Sequence, residues 1–76
     1  MDTEQTIRLA EVRRLAASGE AKAIRERADL SLREVAGAVG VSPSGLSRWE
    51  NGERTPRGAA AVRCAKFLRQ LTRRAS

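Results

Sequence analysis

Large and small apolar residues recur along the chain at helical spacing, and turn residues separate one run from the next. Residues 4–17 place Leu9, Val12 and Ala16 on one stripe with Leu15 beside it, which predicts an amphipathic helix. Asp2 or Thr3 is its expected cap. Ser18-Gly19 interrupts that pattern. Ser18 is the expected cap of a second helix over 19–28, with Ala21, Ile24 and Ala28 on its inner face. Leu32, Val35, Ala36 and Val39 then follow i, i+3, i+4, i+7 and predict a short helix over 32–39. Its start is marked twice. Ser31 and Glu34 have capping-box spacing, and Leu30 and Val35 have the spacing of a hydrophobic staple. Gly40 suits the left-handed residue that ends such a helix.

The stretch Val41–Gly58 has the composition of a loop, rich in serine, glycine and proline. The positions of those residues argue otherwise. Ser42 is a good N-cap, Pro43 fits the first helical position, and Val41 and Leu46 repeat the staple spacing. A helix is expected over 43–50, stopped by Asn51-Gly52. Thr55 and Pro56 read as the cap and first residue of a last helix over 56–72. Ala61, Cys64, Leu68 and Leu71 form its inner stripe. Arg63, Lys66, Arg69, Arg73 and Arg74 lie largely outside it. The expected fold class is all-α, a compact bundle of about five helices. Residues 1–76 are expected to form a single domain, with 1–18 as an added N-terminal helix.

Composition agrees with helix. Alanine and arginine dominate, while β-branched and aromatic residues are too few for several strands. One cysteine, Cys64, excludes an internal disulfide, and the absence of histidine removes the usual zinc ligand sets. No metal and no cofactor is expected. No apolar run reaches membrane-spanning length and nothing reads as a signal peptide, so a cytoplasmic location and no membrane partner are expected.

Charge changes the picture more than composition does. Residues 1–32 carry six basic and six acidic side chains, net zero. Residues 33–76 carry nine basic and three acidic, so this part holds the whole net charge of +6. A basic half favours a polyanion, nucleic acid before membrane.

The polar face of 43–50 sharpens that choice. Leu46 and Trp49 point one side inward, Trp49 being core rather than a base-stacking residue. Ser44, Ser47, Arg48 and Asn51 fall at i, i+3, i+4, i+7 on the other side. A helix that reads the DNA major groove needs short side chains for close approach and a long bidentate donor. Ala36 lies where a neighbouring helix would cross, and Gly40 makes a tight turn between the two helices. Arg48 reads either as a guanine contact or as a solvated arginine.

The segment "LSLREVAGAVGVSPSGLSRWENGERTP" resembles the helix-turn-helix of the phage Cro/CI-repressor and XRE-type regulators. Ala36, Gly40, Leu46, the Trp49-Glu50-Asn51-Gly52 run and Pro56 carry the likeness. With Ile24-Arg25 and Ala65-x-x-Leu68 it covers about residues 21–71. The resemblance implies a lambda-repressor-like DNA-binding domain with its helix-turn-helix at 32–51. It also implies a structural ion pair between Arg25 and Glu50. Ser44, Ser47, Arg48 and Pro43 become the candidate base contacts, Pro43 through apolar contact alone. Arg33, Ser42, Asn51, Arg54 and Arg57 become the candidate backbone contacts. Leu32 departs from the family, which often has a phosphate-binding glutamine there. Backbone N–H groups and Arg33 are the expected substitutes.

The function implied is a sequence-specific transcriptional regulator of Cro-like, phage or prophage type. It would repress by occluding a promoter, since 76 residues leave little room for an effector domain. Double-stranded DNA is the expected partner, as a palindromic operator bound by two copies. No small-molecule ligand is expected. The alternative is an antitoxin or other protein-interaction module that uses the same domain for autoregulation, with helix 1–18 as its only candidate partner-binding segment. The stripe Leu9, Val12 and Leu15 packs on the domain rather than forming a dimer contact. The C-terminal "RQLTRRAS" touches DNA, supports dimerisation or frays, the last being expected of Arg73–Ser76. An enzyme is not expected: tyrosine and histidine are absent, carboxylates are not clustered, and no phosphate-binding glycine loop occurs.

Overall fold

A computed structural model describes residues 1–74. Among these it contains five helices and no strand: α1 (Thr3–Ser18), α2 (Glu20–Arg27), α3 (Leu32–Val39), α4 (Pro43–Glu50) and α5 (Gly58–Arg74). The helix starts follow from local chemistry. Asp2 caps α1: its carboxylate accepts the Gln5 N–H at 2.7 Å, and the Gln5 side chain accepts the Asp2 N–H at 3.2 Å. Ser31 and Glu34 make the same reciprocal pair at the start of α3, at 3.0 and 2.9 Å. Hydrogen bonding of the Glu34 carboxyl to Ser31, first to its backbone N–H and then to its side chain, holds that carboxyl below its ordinary pKa. Ser42 accepts the Gly45 N–H at 3.0 Å and starts α4, with Pro43 in the first turn.

Four boundaries differ from expectation. Ser18 is the last residue of α1 rather than the cap of α2. Gly19, at φ +85°, makes the junction, and the Ser18 hydroxyl only touches the Glu20 N–H at 3.3 Å. α2 ends before Ala28, because Asp29 takes φ +59° and turns the chain; Ala28 is consequently exposed rather than inward. α5 begins at Gly58, not Pro56, and Thr55 does not cap it. Gly58 sits at φ +76°, which no helix interior accepts, and Pro56 is buried against α1 instead. At its other end α5 runs through Arg74, so Arg73 and Arg74 are helical rather than frayed. The remaining positions of that stretch, 75 and 76, lie outside the described residues.

One core joins all five helices. Val12 and Leu15 from α1, Ile24 from α2, Val35 and Val39 from α3, Leu46 from α4 and Leu68 from α5 are its large members. Ala36, Ala61 and Ala65 are fully buried, so side chains no larger than a methyl group stand where α3 and α5 meet their neighbours. Overfilling any of these sites costs about 1–3 kcal/mol. The stripe of α1 is part of this core, with Val12 1% exposed and Leu9 packed at the edge. α1 packs on α5 and α2 and reaches α4.

Two arginines bind the core to the α3–α4 pair. Arg25 of α2 grips Glu50 at the end of α4 with two bonds, Nε to Oε2 at 2.8 Å and Nη2 to Oε1 at 3.0 Å. Its third arm donates to the Leu30 carbonyl at 2.9 Å, just before α3. The two side chains are 10% and 6% exposed, so both charges have left water as a pair. Donating these bonds to Glu50 raises the Arg25 pKa against the opposing effect of burial. Arg63 of α5, expected on the outer face, reaches back to donate from Nε to the Val39 carbonyl at 3.0 Å. It thereby caps the last turn of α3.

Removing one partner of the buried pair strands the other. Glu50→Ala is expected to lower stability by about 3–5 kcal/mol in denaturant unfolding; a wild-type midpoint would contradict this. Burial pushes the Cys64 thiol up from 9.0 to about 11, and the nearby Glu50 charge adds to the shift. The folded state therefore holds that proton where the unfolded chain has lost it. This contribution is complete below pH 9 and declines as pH rises toward 11. Cys64→Ala is expected to flatten the loss of stability over that window, measured by unfolding at each pH.

Candidate nucleic-acid interface

The α3–α4 turn sets the angle of α4. Gly40, at φ +80°, ends α3, and the N–H groups of Gly40 and Val41 both bond the Ala36 carbonyl, at 2.9 and 3.0 Å. The guanidinium of Arg63 lies against Gly40: a Cβ there would stand 2.9 Å from its Nη2. Leu46, 3% exposed, anchors α4 to the core. Trp49 is only half-buried, packed against the core at its margin. It borders the loop after α4, where Ala16 and Ala17 of α1 approach.

This anchoring presents the polar stripe. Ser44, Arg48 and Asn51 are exposed, while Pro43 and Ser47 are half-buried. The Ser47 hydroxyl accepts a bond from the Asn51 amide at 3.3 Å and keeps its own proton to donate. Ser42 and Ser44 share a contact between hydroxyl oxygens at 3.4 Å. Gly45 leaves room for this start, since a Cβ there would lie 3.0 Å from the Ser42 oxygen.

The end of α4 folds the next loop back toward it. Gly52 takes φ +74°, and the Arg48 carbonyl accepts the N–H groups of Glu53 and Arg54, at 2.9 and 3.2 Å. Arg54 thus begins its side chain beside the stripe. Arg57 stands exposed one residue past buried Pro56, and Arg33 is exposed on the first turn of α3. Neither is hydrogen-bonded to α4 among the described residues. Among these residues, too, no carboxylate lies within ion-pair reach of Arg33, Arg48, Arg54 or Arg57, so four guanidinium groups meet solvent unneutralised. Some other basic side chains are paired, as Arg8 is with Glu4 at 2.9 Å, whereas Lys22, Arg27 and Lys66 also stand without a carboxylate among the described residues.

The surface is therefore a short helix with small polar groups at its start, one arginine in its last turn and further arginines at its margins. That arrangement suits a grooved polyanion. Leu32 is half-buried and packs against the core, so it is unavailable to a phosphate. Sequence reading missed Arg63 and Arg13, both bonded to backbone carbonyls 24 and 43 residues away. An arginine on the polar side of a helix carries no local sign of a distant carbonyl.

No group of His, Cys, Asp and Glu that could hold a metal occurs among the described residues. No helix there is long and apolar enough to cross a membrane. Neither curated proteins nor solved structures gave a significant match to the chain. A family model described as "Helix-turn-helix" matches residues 22–73, from α2 to nearly the end of α5. The match covers most of the chain and every residue of the candidate interface, and with it the chain belongs to the XRE/Cro/CI-type helix-turn-helix family of DNA-binding transcription regulators.

Proposed function

We propose that this protein is a sequence-specific repressor of Cro-like type that lays α4 in the major groove of a palindromic operator, one copy on each half-site. Residues 1–76 act as one DNA-binding unit. The observation that carries the reading is the polar stripe of exposed Ser44, Arg48 and Asn51 with half-buried Ser47, on a helix whose other side is fixed by Leu46 and Glu50. Ser44 and Pro43 approach base edges closely, and Arg48 donates to a guanine. Ser42, Asn51, Arg33, Arg54 and Arg57 hold the phosphates on either side. One copy covers few base pairs, so specificity needs two, and a bound dimer represses by occluding a promoter in the cytoplasm of a bacterial or phage-infected cell. A protein-interaction role finds less support, because the apolar stripe of α1 is buried in the chain's own core.

Selection of bound duplexes from a random pool tests this directly. A palindromic consensus is expected, and a pool without enrichment would sink the reading. With the selected duplex, Arg48→Ala is expected to cost about 1–3 kcal/mol and to relax preference at one base pair per half-site. An equal loss on every sequence would make Arg48 a phosphate contact instead. Arg54→Ala and Arg57→Ala are expected to weaken binding on all sequences. Each lowers the slope of log K against log salt by about one per copy. Unchanged slopes would remove both residues from the interface.

A further inference from the structure

The loop bearing Arg54 and Arg57 has few restraints of its own. Among the described residues, its last backbone bond before α5 is the one from Arg54 N–H to the Arg48 carbonyl. Beyond that point the loop is held from outside. Arg13 of α1 donates from Nε to the Pro56 carbonyl at 2.8 Å, across 43 residues of sequence. Pro56 is buried, and the exposed Arg54 and Arg57 lie two residues before it and one after. Packing alone does not fill this junction. A cavity of about 80 Å3 lies between α1 and the loop, bordered by Arg13, Ala16 and Ala17 on one side and Trp49, Arg54 and Pro56 on the other. α1 precedes the residues that match the helix-turn-helix family, so the restraint comes from outside the matched segment.

We propose that Arg13 is a positioning residue for DNA binding: from α1 it fixes the Pro56 carbonyl and so pre-sets the loop from which Arg54 and Arg57 reach phosphate. The proposal rests on reading those two arginines as phosphate contacts. A loop ordered before binding loses less conformational freedom on the duplex than one that must be ordered there. Arg13 acts through its hydrogen bond and not through its charge. Glutamine separates these two properties, because its amide nitrogen lies as many bonds from Cα as arginine Nε. Arg13→Gln keeps a donor at that point and deletes the charge, whereas Arg13→Ala deletes both.

The test measures affinity and salt slope on a short mixed-sequence duplex, at a temperature where circular dichroism shows every variant folded. Arg13→Ala is expected to weaken binding roughly 5-fold, the cost of ordering the loop and its two long side chains. Arg13→Gln is expected to recover most of that loss. In an Arg54→Ala/Arg57→Ala background, Arg13→Ala is expected to have no further effect. Equal losses in both backgrounds, with Arg13→Gln as weak as Arg13→Ala, would overturn the proposal in favour of a direct phosphate contact. Wild-type affinity in Arg13→Ala would overturn it in favour of a purely structural bond. If Arg13→Ala does not fold, Arg13→Met, which keeps the stem without a donor, takes its place beside Arg13→Gln in both backgrounds. Failure of the wild-type chain to bind any duplex would instead overturn the DNA-binding face itself.

Discussion

A carboxylate and a guanidinium taken out of water together fix the geometry of this molecule. Either charge alone would be prohibitive in a core made of alanine, valine and leucine. Together, with three hydrogen bonds from one guanidinium, they satisfy each other and the Leu30 carbonyl. Because such a pair tolerates little displacement, it locates the end of α4 relative to α2 and to the entry of α3. Hydrophobic contacts around Leu46 hold α4 to the core but are forgiving of a small rotation. The ion pair is directional. It converts a buried helix face into a defined outward face, and the polar side chains on that face inherit the definition.

Three backbone carbonyls receive arginines from other parts of the chain: Leu30, Val39 and Pro56. They stand before α3, at its end and after α4. A fold of 76 residues has limited apolar area with which to hold a helix pair. Guanidinium groups supplement it with directional bonds at the places where the chain leaves regular structure and its carbonyls lack partners. The arginine richness of the sequence thus divides into two populations. Some arginines are engaged by carbonyls and carboxylates, and others stay uncompensated at the surface. Composition and net charge describe both alike.

Much of the fold was legible in the sequence because its signals are local. Asp2, Ser31, Ser42, Gly40 and Asn51-Gly52 act within one turn of themselves, and the apolar spacing of α3 and α4 gave their bounds without error. The misreadings arose where a distant contact overrode a local signal. Thr55-Pro56 has good start chemistry, yet Pro56 is buried against α1 and the helix waits for Gly58. Ala28 has the right spacing, yet Asp29 turns the chain first. The stripe on α4 was readable from its periodicity. The supports from Arg13 and Arg63 were not, since nothing near either residue distinguishes a bonded arginine from a solvated one.

Gly40 illustrates how such a support couples to its neighbour. Its positive φ alone would admit asparagine or aspartate at modest cost. The guanidinium of Arg63 lies beside it, so a Cβ there would push the flexible end of that side chain aside and disturb its reach to the Val39 carbonyl. Two unrelated demands therefore fall on one residue, and only one of them is visible in the backbone. A side chain at Gly40 is accommodated by a shift of the Arg63 guanidinium, at the expense of its bond to α3. The two positions are thus coupled: what stands at Gly40 sets how well Arg63 can hold the end of that helix.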